Sequence, residues 1–469
     1  MRRRPMLQPR SRGESRAKAL DQHMGSSDKL DPRPAWTRQR ISEALGESAV
    51  RIIATIAKHA HAENIVIYLA GGVVRDLVLE RENTDLDFVL EGDAIAFAYN
   101  LARIYGGETE RHIPFGTAKW KLDSVAINNL SVGSGVVPAE IDFATARTEE
   151  YLASAALPVV APGLIAQDLR RRDFTVNALA LRIEAGAHPW QMLDPTDGYS
   201  DILGKKIRVL HDRSFIDDPT RIFRAFRFAS RYRFTIESGT ADFLREAIPV
   251  IQRLSGVRIR HELDLILREE YPERIIADLS ALDIFAQIHD SFRISLRSAE
   301  QFKRLREHMP KLPANSDDMA RLGWHLLFSG IAEDDALLIC ARLDLTSELS
   351  SSIAGFARLL AKVDWLGAST NKASAITRFL DGISATALRA GLICNIDDHS
   401  VKERMEQYMV DWRHRRTIID GNDLIRAGLT PGPIYREILD KLRGAWIDGE
   451  IESEDQEREL FLKMVKEAQ

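Results

Sequence analysis

The fold of this chain is decided by residues 68–87, which read YLAGGVVRDLVLERENTDLD. The pattern predicts an apolar strand that ends at Gly71-Gly72, a helix that begins at once, and a second strand that carries Asp85 and Asp87. A helix N-terminus behind two glycines offers free backbone N–H groups and a positive dipole end to a phosphate, and Arg75 lies in its first turn. Strand-Gly-Gly-helix turns are common, so this half of the pattern alone is weak evidence for phosphate binding.

The second half of the pattern is a pair of carboxylates on one strand. Successive side chains of a strand point to opposite faces, so Asp85 and Asp87 share a face while Leu86 and Phe88 point to the core. Two adjacent carboxylates are costly without a cation, and Mg²⁺ typically shares one or two carboxylates with substrate phosphates. A solvated strand edge or a helix cap is the alternative. The two halves together predict a metal-bound triphosphate.

Two later segments concentrate positive charge. Three consecutive arginines, 170–172, precede what the alternation predicts to be a strand, with Asp173 and Asn177 on one side of it. Further on, Asp218-Pro219 predicts a helix start with Asp218 as N-cap. Three arginines then recur at every third position along that helix: Arg221, Arg224 and Arg227. Residues 201–260 contain 13 Lys or Arg and 7 Asp or Glu although the whole chain has a net charge of -5, as expected where phosphates or RNA bind.

Taken in order, these segments resemble the motifs of the tRNA nucleotidyltransferase and poly(A) polymerase family, bacterial and eukaryotic branch, within the polymerase beta superfamily. The resemblance rests on GGVVRD at 71–76 with DLD at 85–87, DLRRRDFTVNA at 168–178, DPTDGYSDILGKKIR at 194–208, DPTRIFRAFRFA at 218–229, and the tail segment GNDLIRAGLTPGP at 421–433. Among its members, the chain is most similar to CCA-adding enzymes.

The resemblance implies an α+β fold, with a polymerase-beta-like nucleotidyltransferase head on a mixed sheet followed by an elongated all-helical neck, body and tail. The expected boundaries are a disordered N-terminal tail at 1–35, the catalytic head at 36–185, a neck for nucleobase recognition and RNA binding at 186–265, a helical body at 266–360, and a tRNA-binding helical tail at 361–469.

The resemblance also implies roles for particular residues. Asp85 and Asp87 would hold the catalytic Mg²⁺ ions, and Asp142 would be a third catalytic carboxylate. The implied nucleotide-binding residues are Gly71, Gly72, Arg75, Arg172, Asp218, Arg221, Arg224 and Arg227, with Asp218 and Arg221 reading the base.

The chain departs from the family pattern at two positions, where Asp217 replaces the usual Glu and Val257 replaces an acidic residue. Chemistry supports the base-reading role, because an acceptor beside a donor fork matches cytosine and adenine, whereas guanine and uracil present a carbonyl oxygen to the carboxylate. Since Asp218 cannot use one oxygen both to cap a helix and to bind a base, we expect its other oxygen, or Asp217, to cap.

The expected activity is template-independent, metal-dependent transfer of nucleotides from CTP and ATP to the 3′-hydroxyl of tRNA, which builds or repairs the CCA end and releases pyrophosphate. Addition of A only, of CC only, or of a poly(A) tail uses the same motifs and stays open, as does a catalytically silent RNA-binding protein. The acidic net charge and the long helical region favour tRNA over unstructured RNA as the partner.

Composition limits the remaining possibilities. Two cysteines, Cys340 and Cys394, lie far apart without partners at metal-ligand spacing, so we expect a reducing compartment and no zinc. No apolar run approaches the ~20 residues of a membrane span, and we expect a cytoplasmic protein that binds no membrane.

Overall fold

The computed structural model describes residues 34–83, 85–131, 136–186, 189–294, 296–308, 316–395 and 397–468. The predicted N-terminal tail lies almost entirely outside the described residues, as does Thr84 of the opening motif. The expected domain boundaries at 185, 265 and 360 stay predictions.

The first half of the chain alternates helices and strands. Its strands are β1 (Val66–Ala70), β2 (Leu86–Glu91), β3 (Glu108–His112), β4 (Thr117–Lys121), β5 (Glu140–Thr145), β6 (Arg147–Glu150), β7 (Val159–Pro162), β8 (Ala180–Ile183), β9 (Gln191–Leu193), β10 (Lys206–Ile207) and β11 (Thr235–Ile236). Its helices are α1 (Arg38–Leu45), α2 (Glu47–Ala62), α3 (Gly72–Val78), α4 (Ala94–Tyr105), α5 (Ser124–Asn129), α6 (Ile165–Arg170), α7 (Gly198–Leu203), α8 (Ser214–Asp217) and α9 (Thr220–Tyr232).

From Ser238 onward the described residues contain helices and no strand. They are α10 (Ser238–Ala247), α11 (Gly256–Leu267), α12 (Pro272–Ala281), α13 (Leu296–His308), α14 (Ser316–Leu327), α15 (Glu333–Arg342), α16 (Ser347–Ala361), α17 (Val363–Gly367), α18 (Ala373–Leu380), α19 (Ala385–Cys394), α20 (His399–Val410), α21 (Gly421–Arg426), α22 (Pro433–Ile447) and α23 (Glu454–Ala468). None of the described helices combines the length and apolar character that a membrane span needs.

Seven strands form one mixed sheet in the order β3-β4-β5-β2-β1-β8-β9. The central pair β2 and β5 is parallel, and the pairs β1–β2, β1–β8 and β4–β5 are antiparallel. The two shorter ladders join β6 to β7 and β10 to β11. The sheet and the helical remainder confirm the predicted fold class.

The two faces of the sheet are covered by different elements. Leu86, Phe88 and Leu90 of β2 join the large apolar core, whereas Val89 belongs to a smaller cluster on the other face with Ile165 and Leu169 of α6. Alternation along β2 therefore places Asp87 on the face of the smaller cluster. This confirms that Leu86 and Phe88 point to the main core.

Local structure differs from the sequence prediction at two points. The segment after Asp173 is a 3₁₀ turn, Thr175–Asn177, and the strand begins only at Ala180, because the side chain of Asp173 accepts hydrogen bonds from the Phe174 N–H and from Asn177. Helix α9 begins at Thr220 with Pro219 as its N-cap, one position later than predicted. The Asp218 side chain still accepts from the Thr220 N–H at 3.0 Å, so it contributes the capping interaction from outside the cap position.

A separate apolar cluster closes the C-terminal end of the chain. Ile419, Leu424, Ile438, Leu442 and Phe461 form its centre, between α21, α22 and α23. The main core extends from Trp36 to Tyr408 and does not include these residues.

Candidate active site

The turn between β1 and α3 brings backbone and guanidinium into contact. Gly71 has a φ of +80°, and a Cβ placed there would lie 2.4 Å from Nη1 of Arg172. The Gly71 N–H donates to the Leu179 carbonyl at 2.9 Å, which fixes the turn against the sheet. Glycine is required at this position by both the backbone conformation and the close approach.

Two of the three consecutive arginines, Arg171 and Arg172, are paired with carboxylates of the protein. Asp168 is fully buried, and its two oxygens accept separately from Arg171 at 2.5 Å and from Arg172 at 3.0 Å. Burial opposes the charged form of Asp168, but the two guanidinium groups outweigh it and lower the pKa of the carboxyl. Asp168 and, for Arg171, Glu149 at 2.6 Å are the anions that pair with these arginines, and both guanidinium groups are held in fixed orientations.

The predicted metal ligands, Asp85 and Asp87, lie just before and on β2, and the predicted third catalytic carboxylate, Asp142, lies on the adjacent parallel strand β5. Asp87 of β2 is directly opposite Asp142 of β5, and Asp85 immediately precedes β2. Burial, followed by the charges of Asp142 and Asp85, raises the pKa of Asp87 to about 6. Lys119 of β4 donates to Asp142 at 3.2 Å, and burial still raises the pKa of Asp142 despite this lysine.

This donor set fits a divalent cation. No described residue donates a hydrogen bond to the Asp87 side chain or forms an ion pair with it, so no direct contact in that part of the chain neutralises its half-buried carboxylate. Oxygen-only ligands are those that Mg²⁺ prefers. No group of three or more His, Cys, Asp or Glu side chains is arranged as a metal site within the described ranges, and Lys119 occupies Asp142. Asp85 and Asp87 are the residues available to hold an ion.

Arg75 is buried and bonded on every side. Its guanidinium donates to both oxygens of Asp76 at 2.9 and 3.0 Å and to Oδ1 of Asn177 at 2.5 Å, and it lies 4.3 Å from the centre of the Tyr232 ring. Asn177 in turn donates to Asp173 at 2.9 Å. The Arg75 guanidinium therefore mainly holds Asp76 and Asn177 in place and has few N–H groups left for a ligand.

Asp173 links Asn177, and through it Arg75, to helix α9. Arg224 donates to Oδ2 of Asp173 from Nε at 2.9 Å and from Nη2 at 2.6 Å. Although burial opposes it, the charge of Arg224 with the hydrogen bond from Asn177 lowers the pKa of Asp173 to about 2. These two charge-assisted hydrogen bonds, both to Oδ2, hold α9 against the segment that carries Asp173.

The two residues predicted to read the base are adjacent and partly occupied. Oδ1 of Asp218 accepts from Thr220 and from Nη2 of Arg258 at 2.6 Å, and no described residue donates to Oδ2. This agrees with the expectation that one oxygen caps while the other stays available. Arg221 donates to the Ser214 hydroxyl at 2.6 Å and to the Arg171 carbonyl at 2.9 Å, which leaves its other N–H groups without partners among the hydrogen bonds of the described chain.

Among the four arginines of α9, which are Arg221, Arg224, Arg227 and Arg231, Arg227 is the least well-paired. It is 5% exposed, and its nearest carboxylates are those of Glu262 at 3.6 Å and Glu269 at 3.8 Å. Nε of Arg227 and Oε2 of Glu262 are both buried without a hydrogen-bond partner in the described part of the chain. Burial accordingly lowers the pKa of Arg227 and raises the pKa of Glu262.

One cavity of about 610 Å³ collects the predicted nucleotide-binding residues. All eight line it: Gly71, Gly72, Arg75, Arg172, Asp218, Arg221, Arg224 and Arg227. The three carboxylates Asp85, Asp87 and Asp142 are not part of its lining. The structure thus brings the predicted site residues into two neighbouring groups, an arginine-rich cavity and an acidic strand pair.

Several lining residues were missed by the sequence prediction. Arg147 donates to the Phe115 carbonyl at 2.7 Å, and Arg258 joins Asp218 to the Ala155 carbonyl at 2.9 Å. Ala155 belongs to the loop between β6 and β7, which docks on α8 through a hydrogen bond from Ser154 to Ile216. The sequence offered one signal for Arg258, which is that it directly follows Val257, where the chain departs from the family pattern.

Comparisons with protein-family models and with known proteins show which proteins this chain resembles. Residues 67–208 match the family model described as the poly A polymerase head domain, and residues 233–294 match the probable RNA and SrmB-binding site of polymerase A. The A-adding tRNA nucleotidyltransferase of Geobacter sulfurreducens is 30% identical over 94% of this chain, which spans only 50% of that protein. The A-adding tRNA nucleotidyltransferase of Halalkalibacterium halodurans is 28% identical over 85% of this chain and 88% of its own length.

Solved structures of CCA-adding enzymes are also similar to this chain. A CCA-adding enzyme in its apo form II superposes with a TM-score of 0.74 at 27% identity and covers 92% of this chain and 98% of its own. A complex of a CCA-adding enzyme with ATP gives 0.73 at 26% identity, covering 91% and 97%, and the Thermotoga maritima CCA-adding enzyme complexed with tRNA gives 0.69 at 25%, covering 92% and 98%. On this fold, these ordered motifs and these matches, the chain belongs to the tRNA nucleotidyltransferase and poly(A) polymerase family.

Proposed function

We propose that the chain transfers nucleotides from CTP and ATP to the 3′-hydroxyl of tRNA without a nucleic-acid template, releasing pyrophosphate, and that it builds or repairs the CCA end. The observation that carries the proposal is the single cavity in which the glycine turn and the arginines of α9 meet, beside paired carboxylates on β2 and β5. Relatives that bear tRNA nucleotidyltransferase names, and related structures with ATP and with tRNA, support it.

Different residues of the cavity bind different parts of the incoming nucleotide. The N-terminus of α3 behind Gly71-Gly72 and the guanidinium of Arg172 bind the triphosphate, because both present donors to an anion. The Asp168 carboxylate holds Arg172 in place through Oδ2. The catalytic contribution of these groups is positioning and charge neutralisation, so no nucleophilic side chain is required.

Asp85 and Asp87 would hold Mg²⁺ at the edge of this cavity. The chemistry that a Mg²⁺ held by these two carboxylates would supply is a lower pKa for the attacking 3′-hydroxyl and neutralisation of charge on the leaving pyrophosphate. Asp142, directly opposite Asp87 and paired with Lys119, would be the third carboxylate. Asp87 is half-buried, which limits the access of solvent to its carboxylate oxygen atoms.

Asp218 and Arg221 select the base. The unoccupied Oδ2 of Asp218 accepts from the exocyclic amino group of cytosine or adenine, and the remaining N–H groups of Arg221 donate to the adjacent ring nitrogen. A base with a carbonyl oxygen at the first position leaves the carboxylate facing an acceptor, which is strongly disfavoured in a site closed to water.

Addition of A alone is the second candidate function. It is favoured by the two A-adding relatives, which match over 94% and 85% of this chain, whereas the CCA-adding enzyme of Limosilactobacillus reuteri is 26% identical over 82%. Incubation of the purified chain with tRNA transcripts that end before CCA, after C, or after CC, each with one labelled nucleotide, separates the candidates. Complete CCA synthesis requires incorporation on all three transcripts, and A-only addition gives AMP on the transcript ending in CC alone.

CC-only addition would give incorporation of CMP on the transcripts ending before CCA and after C, and none on the transcript ending in CC. Poly(A) synthesis and RNA binding without catalysis are the remaining alternatives. Long A tails on an unstructured oligoribonucleotide would establish the poly(A) polymerase alternative. No incorporation on any transcript, with tRNA binding retained, would contradict the proposed enzymatic function.

A further inference from the structure

A continuous chain of hydrogen bonds connects helix α9 with the segment that carries Asp85. Its first half starts at Arg224, whose guanidinium binds Oδ2 of Asp173, and passes through Oδ1 of Asp173 to the amide of Asn177. The Asn177 oxygen accepts from Nη1 of Arg75 at 2.5 Å. Asp173 and Asn177 are buried, so this half is shielded from solvent.

The second half of the chain ends at the backbone of Asp85. Arg75 binds both oxygens of Asp76, and Oδ2 of Asp76 accepts from Nδ2 of Asn83 at 2.8 Å. Oδ1 of Asn83 then accepts from the Asp85 N–H at 2.7 Å. The Asn83 amide thus uses its donor on a buried ion pair and its acceptor on the predicted metal-binding residue.

Asp85 depends on this anchor for its orientation. It is exposed, it precedes β2, and its side chain makes no hydrogen bond or ion pair with any described residue. Asp76, in contrast, is only 9% exposed and is fixed by Arg75. Asp76 is therefore the rigid side of the contact, and Asp85 is the side that the contact constrains.

We infer that Asn83 is a positioning residue, which holds the Asp85 backbone so that Asp85 and Asp87 present their carboxylates to the same metal ion. Partners that orient metal ligands are typically worth about 10- to 100-fold in metal affinity or activity. The hydrogen-bonded chain also makes the position of Asp85 depend on the same groups that hold α9 in place. The inference rests on the proposed function, since it takes Asp85 and Asp87 as metal ligands.

The test is a Mn²⁺ titration of the full-length protein, followed by electron paramagnetic resonance, with no nucleotide present. Asn83→Ala removes both contacts, and Asn83→Ser keeps a hydroxyl that can accept weakly from the Asp85 N–H. We expect Mn²⁺ affinity in the order wild type, serine variant, alanine variant, with the alanine variant weaker by about tenfold or more. The Mg²⁺ concentration for half-maximal nucleotide incorporation should rise in the same order.

Two further variants serve as controls. Asn100→Ala removes an asparagine of the same head whose amide makes one 3.5 Å contact with Glu63, and its Mn²⁺ affinity should equal that of the wild type. Asp85→Ala should abolish the titratable site. Wild-type Mn²⁺ affinity in either folded Asn83 variant would overturn the inference. If the wild type itself shows no Mn²⁺ binding that depends on Asp85, the metal site of the proposed function is wrong, which is a distinct result.

Discussion

Substitution of Gly71 by alanine tests the geometry of the proposed triphosphate site most directly. Gly71 has a φ of +80°, a conformation that costs a residue with a Cβ about 1–3 kcal/mol. The new methyl carbon would also lie 2.4 Å from Nη1 of Arg172, so the guanidinium must move. Arg172 is held by Asp168 at 3.0 and 3.2 Å and by the Asn177 carbonyl at 3.3 Å, and movement breaks some of these hydrogen bonds.

The two costs are measured by different experiments. The backbone cost should appear as a decrease of about 1–3 kcal/mol in the free energy of unfolding. Displacement of Arg172 removes a charge-assisted hydrogen bond to the triphosphate, worth about 1.5–3 kcal/mol, so the KM for ATP should rise by about 10- to 150-fold. Steady-state incorporation on a tRNA transcript and urea unfolding give the two quantities.

Gly46→Ala is the matched control. Gly46 has a φ of +83°, and no atom lies within 4 Å of the position that a Cβ would take there, so alanine imposes a similar backbone cost without a contact. The control should lose stability and keep the wild-type KM for ATP. An unchanged KM in Gly71→Ala, or an equal rise in both variants, would refute the role given to the contact between Gly71 and Arg172.

Three other outcomes are expected. Asp87→Ala should abolish nucleotide incorporation and leave tRNA binding nearly intact in a filter-binding assay; residual Mg²⁺-dependent activity would contradict the metal assignment. Asp218→Ala should admit GTP or UTP with less effect on triphosphate affinity than Arg172→Ala, and strict preference for CTP and ATP in a competition assay would place base selection elsewhere. Burial lowers the pKa of His325 from 6.5 to about 4, so the folded state favours the neutral ring, and the free energy of unfolding should fall by about 3 kcal/mol as pH drops from about 6.5 to 4. His325→Gln should lose this contribution, so urea unfolding across that pH range should show a smaller slope in the variant than in the wild type.

The sequence predicted the local features of the site better than it predicted the contacts between distant residues. Alternation along β2 was enough to place Asp87 on the face opposite Phe88, because the period of a strand is fixed by its backbone. The glycine turn, the spacing of arginines on α9 and the capping by Asp218 are likewise local, and the structure departs from them by one residue at the start of α9. The segment after Asp173 was predicted wrongly as a strand, since its side-chain bonds to Asn177 favour a 3₁₀ turn over the alternation of apolar residues.

Partners that come from distant parts of the chain could not be predicted. The sequence showed three consecutive arginines, and only the fold shows that Asp168 pairs with Arg171 and Arg172 from a fully buried position. Lys119 reaches Asp142 because β4 and β5 pair in antiparallel register, which no local signal specifies. The same holds for Arg258, which reaches Asp218 from 40 residues away.

Sequence alone was enough for the order of the motifs and the identity of the charged residues, because periodicity, turn chemistry and spacing act over a few neighbouring residues, and the resemblance of these motifs to known ones indicated the family. The tertiary structure decided which of these charges are free. Arg75 and Arg224 are largely occupied by Asp76, Asn177 and Asp173, while Oδ2 of Asp218 accepts no hydrogen bond from the described residues. The physical reason is that a charged group in a protein interior must find partners, and these partners are set by how the sheet and α9 pack together, not by the neighbours along the chain.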